Sequence, residues 1–138
     1  MIADGGGKIL IVQNDPVFGS TIAASLAPLG HTCLVVTDTA AAIRYLQDFR
    51  PDLVLMDTNF PGTREHEAGA EWREFLLLDM LKRQQSSSVP FIVISDDLSY
   101  TARDLALAAG ASDFFPKPLH FPRLLRCIQG VLSRAFVL

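Results

Sequence analysis

Three residue types that together handle phosphate stand at the ends of apolar runs. Asp57 follows Asp52-Leu53-Val54-Leu55-Met56, Ser95 follows Phe91-Ile92-Val93-Ile94, and Lys117 comes shortly after Ser112 to Phe115. A carboxylate can attack phosphorus, a hydroxyl can donate to a phosphoryl oxygen, and an ammonium can balance the negative charge. Two amides, Gln13 and Asn14, follow a fourth run, Lys8 to Val12. These groups can act together only if the chain brings the ends of the runs to one place.

The intervening segments are of a kind that does so. Asp15-Pro16 supplies an N-cap and the residue favoured in the first helical turn, so a helix opens there and stops near Pro28-Leu29-Gly30. His31 to Thr37 is rich in β-branched residues, Thr39 to Phe49 has helical spacing, and Pro51-Asp52 breaks the chain before the strand ending at Asp57. After a polar stretch from Thr63 to Gly69, the pattern predicts a helix over Ala70 to Arg83 and a strand over Val89 to Ser95. A helix over Tyr100 to Ala109 closed by Gly110, a strand over Ser112 to Phe115 and a last helix over Phe121 to Ala135 complete the series.

Strict alternation with short connections predicts an α/β fold: an open, doubly wound, flavodoxin-like sheet of five parallel strands with five helices. Strands apolar on both faces belong to a sheet covered by helices, and such sheets hold their chemistry outside the carboxyl ends of the strands. That crevice would gather Gln13, Asn14, Asp57, Ser95 and Lys117.

At 138 residues with 49% apolar composition, the chain suits one domain, residues 8–138, behind a flexible glycine-rich lead-in at 1–7. The formal net charge of −3 and the lack of a Lys/Arg run argue against binding nucleic acid. Cys33 and Cys127 sit far apart in apolar surroundings and read as core residues rather than as a disulfide or metal pair. No apolar run approaches the ~20 residues of a membrane span, so a cytoplasmic protein is expected.

At this point the chain resembles the receiver domain of two-component response regulators, from Lys8 to about Arg134. The resemblance rests on Lys8-Ile9-Leu10-Ile11-Val12, the run to Asp57 with Pro61-Gly62, Ile92-Val93-Ile94-Ser95, Ala108-Ala109-Gly110-Ala111-Ser112-Asp113-Phe114 and Pro116-Lys117-Pro118, in the family's order. It implies that Asp57 accepts a phosphoryl group from a histidine kinase or phosphotransfer protein. Ser95 would close on that group, Lys117 would be its cationic partner, Phe114 would be the aromatic switch, and Lys117-Pro118 would be a cis peptide. The metal ligands implied are Asp57, the backbone carbonyl of Asn59, and Asn14 in a degenerate position. A downstream protein would dock on the face of the fourth helix, fifth strand and fifth helix, and a homodimer is a further candidate.

One part of the pattern is broken. The family's first strand ends in two acidic residues that hold Mg²⁺, where this sequence has Gln13 and Asn14. An amide oxygen can coordinate but brings no charge, and a unit charge pair at about 4 Å is worth ~4 kcal/mol at an effective dielectric near 20. Mg²⁺ binding is therefore expected to be weak, with Asp57 paired to Lys117 instead. Asp15 is already explained as a helix cap. Glu65 or Glu67 could offer a carboxylate from the insertion Thr63 to Gly69, although a solvated polar loop is the plainer reading.

Other chemistries fit less well. Gly5-Gly6-Gly7-Lys8 precedes a strand, whereas a phosphate-binding loop must follow one. His31, His66 and His120 lack ligand spacing, no Gly-x-Ser-x-Gly elbow occurs, and Asp96-Asp97 reads as a loop or cap. The expectation is a non-enzymatic, phospho-accepting signalling domain. Its rival is a pseudo-receiver of the same fold that works without phosphate, and a small flavin- or nucleotide-binding protein comes third.

Overall fold

The computed structural model describes residues 6–57, 89–95, 100–108 and 110–136. Five strands form one sheet: β1 (Lys8–Val12), β2 (Thr32–Val36), β3 (Leu53–Asp57), β4 (Phe91–Ser95) and β5 (Asp113–Pro116). All pairs are parallel and the order is β2-β1-β3-β4-β5, with the chain reversing its winding direction after β2. This is the predicted doubly wound architecture. The described helices are α1 (Pro16–Leu26), α2 (Thr39–Phe49), α3 (Tyr100–Ala108) and α4 (Phe121–Phe136). The helix predicted over Ala70 to Arg83 and the insertion before it lie outside the described residues.

Side chains alternate across each strand, so the central strands feed two cores. Leu10, Val12, Val54, Met56, Phe91 and Val93 pack with Ala42 and Leu46 of α2 and Ala106 of α3. On the opposite face Ile9, Ile11, Leu53, Leu55, Ile92 and Ile94 meet Ile22 and Leu26 of α1 and Leu124, Ile128 and Leu132 of α4. Leu124, Ile128 and Leu132 recur every four residues along α4, which gives that helix a single buried stripe.

Local chemistry sets the ends of the elements. Asp15 Oδ1 accepts from the N–H groups of Val17 (3.0 Å) and Phe18 (3.3 Å), and Asp38 Oδ1 accepts from Ala41 N (2.7 Å). Both are N-caps that satisfy orphan donors of the first turn. α1 ends in a 3₁₀ turn, Ala27–Leu29, and Gly30 at φ 89° turns the chain into β2 in the left-handed region open to glycine. Two strands are shorter than predicted for a visible reason. Pro90 has no N–H for the ladder, although its carbonyl accepts from Val54 N (3.0 Å). His31 spends its ring nitrogen Nδ1 on Gly7 N (3.0 Å) just before β2 begins. Cys33 and Cys127 are only half-buried, which corrects their reading as core residues: each lies on an edge of its apolar layer, packed against it rather than within it.

Candidate functional site

Asp57 is the last residue of β3, the strand flanked on both sides by β1 and β4, and its register partner is Ile94. Ser95 is the next residue along β4, opposite Pro116 of β5. Lys117 follows immediately, and its N–H donates to the Ser95 carbonyl at 2.9 Å, which carries the sheet ladder one step beyond the strand. Gln13 is placed in the same way, its N–H donating to the Val36 carbonyl at 2.9 Å. Residues far apart in sequence are thus brought to one end of the sheet by parallel registers alone.

The carboxylate of Asp57 is only 1% exposed, and Gln13 and Ser95 are equally buried. Lys117 Nζ lies 2.5 Å from Asp57 Oδ2, with its side chain 19% exposed. This is the ion pair expected from the sequence. The ammonium also stands 5.2 Å from the centroid of the Phe18 ring of α1, whose face favours a cation. The Lys117-Pro118 peptide is cis, as the resemblance implied.

Gln13 completes the arrangement in a way that residue types alone did not reveal. Its Oε1 accepts from the backbone N–H of Asp15 at 3.0 Å. A backbone donor cannot face an amide NH₂, so this contact fixes which way the side-chain amide points. Nε2 is then directed at Asp57 and donates to Oδ2, the same oxygen that Lys117 holds. Asn14 is partly exposed. Asn59 lies outside the described residues.

The Mg²⁺ chemistry that the resemblance implies calls for oxygen ligands with carboxylates among them. Among the described residues no group of three or more His, Cys, Asp or Glu side chains could hold an ion. Among the described residues the only other carboxylate close to this end of β1 belongs to Asp15, which caps α1, and the neighbouring Gln13 offers Asp57 an N–H where a metal would need an oxygen. The donor set among the described residues does not fit Mg²⁺.

Phe114 is buried, packed with Val93 and Ala106 in the layer shared by α2 and α3. Its ring faces inward and also lines a groove of about 690 Å³ between β5, α3 and α4. Arg103, His120, Arg123 and Arg126 stand around that groove. The single acidic group among the described residues of its lining, Asp113, is engaged locally: Oδ1 accepts from Phe114 N (2.8 Å) and Oδ2 from Cys127 Sγ (3.4 Å). The overall charge of −3 hid this cationic face. The signal was the spacing of Arg123 and Arg126, which puts both guanidinium groups on one side of α4.

A family model for the response regulator receiver domain matches residues 9–129. The chain belongs to that family. As a receiver domain it is similar to the phosphate regulon transcriptional regulatory protein PhoB of Pseudomonas aeruginosa, 31% identical over 94% of this chain and 53% of PhoB. It is also similar to the protein PilH of Pseudomonas aeruginosa, 27% identical over 91% of this chain and 98% of PilH. Among solved structures, the BeF3-activated N-terminal receiver domain of RstA from Klebsiella pneumoniae superposes with a TM-score of 0.75. Identity there is 29%, over 91% of this chain and 97% of that one. The chain spans 16% to 53% of the length of the first three curated relatives it matches. Receiver domains are signalling domains, and in general they hold Mg²⁺ at an acidic pocket. No helix among the described residues of this receiver domain is long and apolar enough to cross a membrane.

Proposed function

We propose that this receiver domain takes a phosphoryl group on Asp57 and passes the signal on through the face formed by α3, β5 and α4. The observation that carries the reading is the buried Asp57 carboxylate at the end of the central strand, 2.5 Å from the Lys117 ammonium. The donor is the phosphohistidine of a histidine kinase or phosphotransfer protein. A carboxylate oxygen of Asp57 attacks phosphorus and a P–O bond forms. The N–P bond breaks with its electron pair left on the imidazole nitrogen, which takes up a proton. Lys117 balances the charge of the acyl phosphate and Ser95 donates its hydroxyl to a phosphoryl oxygen. Phe114, on β5 between the site and the groove, is the residue through which the change reaches the partner face.

The partner face favours an acidic segment. Arg103, Arg123 and Arg126 are exposed, none of them has an ion-pair partner among the described residues, and Asp113 is occupied by its own neighbours. Complementary charge on a downstream protein would steer its approach and set its register.

The pseudo-receiver reading is favoured by one observation: Gln13 already donates to the oxygen that Lys117 holds, so Asp57 is stabilised without phosphate. Incubation with acetyl phosphate or with a phosphorylated phosphotransfer protein, read by intact mass, separates the two. The relay requires an adduct on the wild type that is lost in Asp57→Ala. An unmodified wild type under both donors would establish the pseudo-receiver.

A further inference from the structure

We infer that Gln13 takes the place of the divalent cation at Asp57, so that protein donors alone hold this carboxylate. The inference rests on the reading of Asp57 as the functional carboxylate and names what regulates it. Gln13 is a positioning residue, acting through Asp57.

The geometry is specific on three counts. Gln13 is as deeply buried as Asp57, so its amide has no water to turn toward. Its oxygen is tied to Asp15 N at 3.0 Å, and Asp15 is itself fixed because its side chain caps α1 through Val17 N and Phe18 N. Its nitrogen and the Lys117 ammonium converge on one oxygen of Asp57. A cation approaching that oxygen would have to displace the ammonium and turn the Gln13 amide over. The turned amide would set NH₂ against the N–H of Asp15, two donors face to face in a buried place, and would lose the bond to Asp57. The N-cap of α1 thus locks the amide, and the amide excludes the ion.

Magnesium chloride titrated into the full chain, followed by amide chemical shifts, tests this in wild type, Gln13→Asp/Asn14→Asp and Gln13→Glu. The wild type should show no saturable shift around Asp57 up to on the order of 10 mM. The double variant should gain saturable binding tighter by roughly 100-fold or more. Should three neighbouring carboxylates unfold the double variant, Gln13→Glu must show the gain, by about tenfold. Saturable binding at Asp57 in the wild type overturns the inference, and so does the absence of any gain in the folded variants. Loading with acetyl phosphate in the presence of EDTA or of Mg²⁺ distinguishes this failure from that of the acceptor reading. An adduct that forms only with Mg²⁺ overturns the inference and keeps Asp57 as acceptor. The lack of an adduct in both conditions ends the acceptor reading, and the titration alone then decides for or against Gln13.

Discussion

Lys117 and Asp57 meet as a partly exposed ammonium against a fully buried carboxylate, 2.5 Å apart, with water able to reach only the cation. The two partners are therefore unequal. Lys117→Met leaves a charge in the interior without its cation, and a broken buried pair costs about 3–5 kcal/mol, reduced here to about 2–3 because the lysine is already part-solvated. Asp57→Asn leaves an ammonium that can turn outward, at a cost within about 1 kcal/mol. Urea unfolding of both variants should show Lys117→Met as the weaker protein. The opposite order would mean that burial of the carboxylate does not dominate this pair.

The cationic groove should matter to a partner and little to the fold. Arg123→Glu combined with Arg126→Glu removes exposed charges without ion-pair partners among the described residues, so stability should move by no more than about 0.5 kcal/mol. Affinity for an acidic peptide carrying one aromatic residue, measured by fluorescence anisotropy, should fall by about tenfold and lose its dependence on ionic strength. Equal binding by wild type and variant would remove this face from the reading.

Gly19 is buried in α1 where the helix crosses β2. A Cβ there would meet Val35 Cγ1 at 2.6 Å and Gln13 Cβ at 3.5 Å. Gly19→Ala gains about 1 kcal/mol of helix propensity but forces α1 away from the sheet, at about 1–3 kcal/mol. A net loss of about 1 kcal/mol is expected by urea unfolding, together with shifted Gln13 side-chain amide resonances. A stabilised Gly19→Ala would show that the contact yields freely.

His31 accepts from Gly7 N through Nδ1, which leaves the proton on Nε2, a buried atom without a hydrogen-bond partner among the described residues. Burial lowers its pKa from the usual 6.5, so the unfolded chain takes the proton first. Stability is therefore complete above 6.5 and declines as pH falls through that value toward the lower folded one. Thermal melts between about pH 7.5 and about pH 5 should show this loss, and His31→Phe should flatten the part of the slope it causes.

Cys33 on β2 is a slow thiol. Burial pushes it up to about 11 from 9.0, so its thiolate fraction at neutral pH falls roughly 100-fold. Alkylation followed by mass spectrometry should find Cys33 protected in the native protein and labelled quickly in urea.

The sheet, its order and the placing of Asp57, Ser95 and Lys117 at one end of it were legible because each rests on periodicity and position. An apolar run specifies a strand, its last residue lies at the carboxyl end, and parallel winding collects such ends. The cap at Asp15 was legible for a similar local reason, the Asp-Pro pair. The role of Gln13 was not, because an amide carries both donor and acceptor and only the backbone of Asp15 decides which end faces the carboxylate. The arginine groove also escaped, since its members come from two helices that no linear stretch joins. Asn59, the insertion from Thr63 to Gly69 and Asp96-Asp97 lie outside the described residues.

Because β3 is bonded on both edges, by β1 and by β4, its amides are sheltered from the fraying that begins at the outer strands β2 and β5. In hydrogen exchange the backbone of Asp57 should open only with the whole molecule, while Thr32–Val36 and Asp113–Pro116 exchange through smaller excursions. The carboxyl proposed as acceptor is anchored in the slowest-opening part of the domain, and the face proposed for a partner belongs to the faster part. On that proposal, the output face can breathe without loosening the acceptor.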